Sequence, residues 1–99
     1  MSAVYKALAD PTRRRILELL RDRAMTAGEL ADHFDLAKPT LSGHFAVLKA
    51  ADLIDAEKSG TTILYRLNLS VLEEALMSLI DAFQLGREGA PLARTEKPA

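Results

Sequence analysis

Apolar residues recur along this chain with two periods, and the change from one to the other divides it into elements. From Ser2 to about Ala9, Val4, Ala7 and Leu8 share one side of a short helix that Ser2 can cap. Asp10-Pro11 breaks the pattern, because proline disfavours helical geometry in the residue before it. A second helix follows to about Arg21, with Ile16, Leu19 and Leu20 as its expected buried side. Thr26 and Glu29 have the spacing of a capping box, in which each side chain satisfies a free backbone donor of the other. Leu30 and Phe34 then share one face of a third helix. Asp35-Leu36-Ala37-Lys38 is a turn, and Pro39 fits the first turn of a fourth helix, where its missing N–H is not needed. Leu41, Phe45 and Leu48 give that helix a single apolar stripe.

The stretch LIDAEKSGTTILYRLN switches to period two. Ile54 and Ala56 alternate with Asp55 and Glu57, Ser59-Gly60 supplies a turn, and Ile63, Tyr65 and Leu67 alternate with Leu64 and Arg66. This is the pattern of a β-hairpin. Ser70 and Glu73 repeat the capping-box spacing and open a last helix to about Leu85. Leu72, Leu76, Leu79 and Phe83 form one stripe of it, broadened by Val71, Ala75, Ile80 and Ala82. That is more apolar surface than a terminal helix of a small domain usually buries within its own chain. A two-fold dimer is therefore expected, with Val4, Leu8, Leu72, Leu76, Leu79, Ile80 and Phe83 at the subunit contact; full burial of the helix within one chain is the alternative. The Pro-, Gly- and charge-rich REGAPLARTEKPA is expected to fray, which divides the chain into a domain over 1–88 and a tail over 89–99. The fold class is mainly α with a small β-hairpin: a winged helix-turn-helix of five helices and a two-stranded wing.

The outward side of the fourth helix carries the candidate chemistry. Pro39, Gly43, Ala46, Val47 and Ala50 face away from the stripe, flanked by the hydrogen-bond donors Lys38, Thr40, Ser42, His44 and Lys49. No acid occurs from Leu36 to Ala51. A face that is small at its centre, polar at its edges and free of carboxylates can approach a polyanion, as a helix entering the major groove must. The alternative is an ordinary amphipathic helix with an Ala-rich outer face. The hairpin tip, Lys58-Ser59-Gly60-Thr61-Thr62, is equally rich in donors and free of acids, which suits phosphates or a minor groove; a solvated connecting tip is its plainer reading. His44 lies about 60° from the apolar stripe, so packing at the core edge stands beside DNA contact as its role. Arg13, Arg14 and Arg15 could meet phosphate, or pair with Asp10, Glu18 or the last helix; Arg13, nearest the apolar stripe, is the expected structural member.

Composition narrows these readings. Ninety-nine residues make one domain with a modest core, and 48% hydrophobic content excludes disorder by composition. Without cysteine there is no disulfide, thiolate metal site or thiol nucleophile. With no signal-peptide pattern and no run able to span a bilayer, the expected location is the cytoplasm. A net charge of −1 argues mildly against nucleic acid, but its distribution softens the objection. Lys38 to Arg66 holds four bases (Lys38, Lys49, Lys58, Arg66) against three acids, whereas Glu73 to Glu88 holds four acids and one base. A binder so weakly charged would need two copies. No carboxylate–histidine spacing points to a catalytic cleft. A winged-helix dimer that binds only other proteins is the competing class.

Taken in order, ALADPTRRRILELL, TAGELADHF, KPTLSGHFAVLKAADLI and GTTILYRLN resemble the ArsR/SmtB family of bacterial winged-helix repressors, most of all its small autorepressor branch, the SdpR-like proteins. The resemblance reaches to about Leu85. It implies a homodimer on double-stranded DNA, with the fourth helices in successive major grooves of a near-palindromic operator, repressing a promoter that is often its own. Lys38, Thr40, Ser42 and His44 then fall on the reading helix and Lys58 to Thr62 on the wing. Phe45 replaces a usual Leu, and Gly43 and Ala46 stand where longer polar residues are common. The resemblance implies that relatives sensing metal through thiolates carry cysteines where this chain has Ala31 and His33. Those with an interhelical site use carboxylates and histidines at positions matching Leu69, Val71, Ala82 and Leu85, none of which coordinates. No family-type metal site and no cofactor is expected.

Overall fold

Asp10 separates the first two helices by taking extended geometry (φ −98°, ψ 130°) and accepting a hydrogen bond from the Arg13 amide at 3.0 Å. The computed structural model to which this belongs describes residues 2–86. Helix α1 spans Ser2–Leu8 and α2 spans Pro11–Asp22. Ser2 is the first residue of α1 rather than its cap. Val4 and Ala7 of α1 are buried, as are Ile16, Leu17 and Leu20 of α2. Leu17 thus takes the place expected of Leu19, which is only half-buried. The reason is that the inward row runs 13, 16, 17, 20, an i, i+3, i+4, i+7 set that begins with Arg13.

Met25–Thr26 forms a two-residue strand, β1, and passes directly into α3, Ala27–Ala31. Thr26 serves both. It pairs with Leu64 in the sheet, while its hydroxyl accepts from the Glu29 amide at 3.1 Å and its own amide donates to Glu29 Oε1 at 2.9 Å. The capping box read from the sequence is therefore present, and the Thr26 amide holds the Glu29 carboxyl below its ordinary range. α3 is shorter than its pattern implied. Amides of His33 and Phe34 reach back three residues to Leu30 and Ala31, which tightens the helix into a turn. Phe34 still packs on the core.

Helix α4, Lys38–Ala50, buries Leu41, Phe45 and Leu48, each worth about 1.5–3 kcal/mol relative to exposure. It ends without a glycine. Asp52 adopts φ 61°, its amide bonds to Lys49 O, and the Leu53 amide bonds to Leu48 O, a Schellman termination closed by the buried pair Leu48 and Leu53. Strands β2 (Ile54–Ser59) and β3 (Thr62–Leu67) then form the hairpin, with Ile54 opposite Leu67 and Ser59 opposite Thr62. β1 adds to the other edge of β3, so the expected two-stranded wing belongs to a three-stranded antiparallel sheet of order β1-β3-β2.

Helix α5, Leu69–Ala82, begins one residue before the expected cap, and the Ser70–Glu73 box does not form. Asn68 holds the N-cap position because the α4–β2 corner ties it down: its amide donates to Leu53 O at 2.9 Å and its side chain to Asp52 O at 3.0 Å. Ser70 lies inside the helix and donates to Asn68 Oδ1. Only Ala75 of α5 is fully buried among the described residues. Leu76, Met77, Ile80 and Phe83 are exposed, Phe83 by 70%. Val4, expected at a subunit contact, instead belongs to the chain's own core; Leu8, Leu72 and Leu79 are half-buried at its edge. Among the described residues no helix is long and apolar enough to cross a membrane. The expected tail over 89–99 lies outside the described residues.

Candidate nucleic-acid interface

The two sides of α4 are as different as their side chains. Inward, Phe45 stacks at a tilt on Tyr65 of β3, ring centroids 4.7 Å apart, and burial pushes the Tyr65 hydroxyl pKa up. Outward, Pro39, Gly43, Ala46, Val47 and Ala50 are exposed together with Lys38, Thr40, Ser42 and Lys49. A methyl group built at Gly43 would meet nothing within 4 Å. Packing therefore does not require glycine there, although mid-helix glycine costs about 0.5–1 kcal/mol relative to alanine. The thinness of this face is a surface property.

At the hairpin tip, residues 58 to 62 are all exposed. Gly60 has φ 63° and opens a two-residue loop between the paired Ser59 and Thr62, the pattern of a II′ turn, whose first central position favours glycine. Arg66 does not add to the positive surface, because its guanidinium pairs with Glu57 at 2.6 Å. Lys38, Lys49 and Lys58 make no ion pair among the described residues, so they supply the net positive charge of this region.

His44 departs from its flanking neighbours. Its side chain is 17% exposed, its Nδ1 lies 3.2 Å from an Arg13 guanidinium nitrogen, and Asp10 Oδ1 is 4.0 Å away. Of its two readings, the geometry matches packing at the core edge. Arg13 also donates to Ala7 O at 2.8 Å and Lys6 O at 3.1 Å, the structural role expected of it. Arg14 caps the same helix end through Leu8 O at 2.9 Å, and Arg15 pairs with Glu18 at 3.1 Å. The Asp10 carboxyl is held below its ordinary range, chiefly by the Arg13 amide. His33 is exposed on the turn after α3.

Sequence reasoning missed two features here. One is β1, too short to show a period. The other is the Arg13–His44 contact, which joins residues 31 positions apart. Separately, a groove of about 470 Å³ between α2 and α5 is lined by Leu8, Leu17, Leu67, Leu72, Leu76 and Leu79 together with Arg14, Glu18 and Arg21.

Residues 8–57 match the model of a helix-turn-helix domain family. The chain is 42% identical over 86 residues to the transcriptional repressor SdpR of Bacillus subtilis (strain 168), spanning 87% of this chain and 96% of that protein. It is 37% identical over 73 residues to an arsenical resistance operon repressor of Staphylococcus xylosus, spanning 74% and 70%. Among solved structures, an ArsR family transcriptional regulator superposes with a TM-score of 0.78 at 30% identity, over 85% of this chain and 92% of that one. A possible transcriptional regulator for arsenical resistance superposes with a TM-score of 0.73 at 33% identity, over 93% and 95%.

Proposed function

The chain belongs to the ArsR/SmtB family of winged helix-turn-helix transcriptional repressors, in its SdpR-like branch, and from that premise we propose that it acts as a homodimeric autorepressor on a near-palindromic operator. The exposed, carboxylate-free face of α4 carries this reading. Thr40 and Ser42 present hydroxyls to base edges, Gly43 lets the backbone approach closely, and Lys38 and Lys49 meet flanking phosphates. Lys58 to Thr62 of the wing add backbone contacts. Two copies are needed because three unpaired lysines make a weak electrostatic footprint, and affinity for DNA grows with the number of phosphates neutralised. The exposed stripe of α5, with the edge of α1, supplies the contact between copies, setting half-sites about 10 bp apart. Binding over a promoter excludes polymerase, and the cytoplasm is where such a protein meets DNA. Positions that ligate metal in sensing relatives hold Ala31, His33, Leu69, Val71, Ala82 and Leu85 here, and the single histidine among them falls short of a ligand set, so release from DNA runs without a family-type metal site.

A gel shift with the DNA upstream of the protein's own gene tests this. The expected result is tight, salt-sensitive binding that prefers this fragment over unrelated DNA. Absence of sequence preference on any genomic fragment refutes it and leaves a winged-helix dimer that binds proteins.

A further inference from the structure

The Arg13 guanidinium is spread over three elements. From α2 it donates to Ala7 O at 2.8 Å and Lys6 O at 3.1 Å, carbonyls of the last turn of α1, and it reaches Nδ1 of His44 on α4 at 3.2 Å. A guanidinium can only donate, so Nδ1 must offer its lone pair, and the ring proton of the neutral imidazole sits on Nε2. Asp10 Oδ1, at 4.0 Å, is beyond hydrogen-bond reach of the ring and already accepts the Arg13 amide at 3.0 Å. Asp10 therefore acts on the start of α2, and Arg13 acts on His44.

From this geometry we infer that His44 is a positioning residue, which fixes the roll of the reading helix through its Nδ1 instead of touching DNA. The inference rests on α4 being the reading helix. The buried stripe Leu41, Phe45 and Leu48 holds α4 by apolar packing, which is non-directional. At a helix radius of about 5–6 Å with side chains, a roll of about 20° displaces an outward side chain by about 2 Å. Such a shift breaks a hydrogen bond to a base edge. One directional bond near the helix midpoint prevents it, and its other end is tied to α1, which flanks the proposed subunit contact. Arg13 thereby links the placement of the reading helix to the helix that borders the partner.

Two amide replacements separate the ring's nitrogens. In His44→Asn the side-chain oxygen falls near the place of Nδ1, and in His44→Gln near that of Nε2. Operator affinity of the full chain should stay within about threefold of the parent for His44→Asn and fall at least about tenfold for His44→Gln, the scale of a lost hydrogen bond to a charged group. Arg13→Lys should resemble His44→Gln, because an ammonium cannot span all three acceptors. The double variant Arg13→Ala with His44→Ala should bind no more weakly than Arg13→Ala alone, because the loss of Arg13 already removes the only bond credited to His44. The reverse order, Gln retaining affinity while Asn loses it, would show Nε2 on DNA and overturn the inference, as would equal affinity of both with the parent. Ring ¹⁵N spectra of the unmodified protein give an independent readout that needs no variant to fold: Nδ1 of His44 should be the unprotonated nitrogen, and a protonated Nδ1 overturns the inference. A parent chain without sequence-preferring binding overturns the DNA reading itself, whatever the spectra show.

Discussion

Phe45 and Tyr65 hold α4 to the central strand of the sheet, their rings 4.7 Å apart and inclined by 35°. One ring comes from the inward stripe of α4 and the other from β3, the strand that also carries one arm of the wing. The two parts of the chain proposed to face DNA therefore share one aromatic joint. Offset aromatic pairs contribute about 0.5–1.5 kcal/mol beyond the area they bury. Phe45→Leu should lower unfolding free energy in urea by about 1–2 kcal/mol. Unchanged stability would mean the joint is incidental.

Gly43 separates folding from binding. Its missing methyl would meet nothing within 4 Å, so Gly43→Ala should raise stability by about 0.5–1 kcal/mol, as expected for a helix interior. The same change thickens the face proposed to enter the groove, and Gly43→Leu thickens it further. Affinity for operator should fall in the order Gly, Ala, Leu while thermal stability does not follow it. Full affinity in Gly43→Leu would show that close approach is not used.

Lys58 on the wing has no acidic partner among the described residues, which suits contact with a phosphate. Lys58→Ala should weaken binding to all sequences alike and reduce the salt slope by about one. Thr40→Ala should instead cost about 1–3 kcal/mol at one position of each half-site and relax preference there. Uniform loss in Thr40→Ala, or an unchanged slope in Lys58→Ala, would count against the respective contact.

Phe83, 70% exposed near the end of α5, has little to do within one chain. Phe83→Asp should leave helical content intact and shift the mass measured by sedimentation from dimer toward monomer. Operator affinity should drop with it, because each half-site is weak alone. A dimer that persists in this variant would move the subunit contact away from the α5 stripe.

The parts legible in the sequence were those set by local spacing. Leu41, Phe45 and Leu48 stand at i, i+4 and i+7 and are buried together, and Thr26 with Glu29 form the box their spacing implies. Other features depend on contacts that spacing does not encode. Met25 and Thr26 pair with β3 over two residues only, too few to show alternation. Asp52 turns α4 through left-handed geometry that is usually marked by glycine. Asn68 displaces Ser70 from the N-cap because it is bound to the corner at Asp52 and Leu53, sixteen and fifteen residues back. The angle of His44 on the helical wheel left its role open; Arg13, brought near from α2, resolves its direction. The subunit contact, the operator and the signal that releases it depend on molecules outside this chain.

The outer face of α4 is proposed to meet DNA, once from each copy. The chain has no cysteine, so one can be placed at Ala37, the exposed N-cap of α4, or at Glu74 on α5 and coupled to an iron chelate that cuts nearby DNA. On operator DNA the Ala37→Cys conjugate should cut in two short windows about 10 bp apart, one helical turn, and the Glu74→Cys conjugate should leave the DNA intact. Cutting from the α5 position with none from α4 would contradict the account.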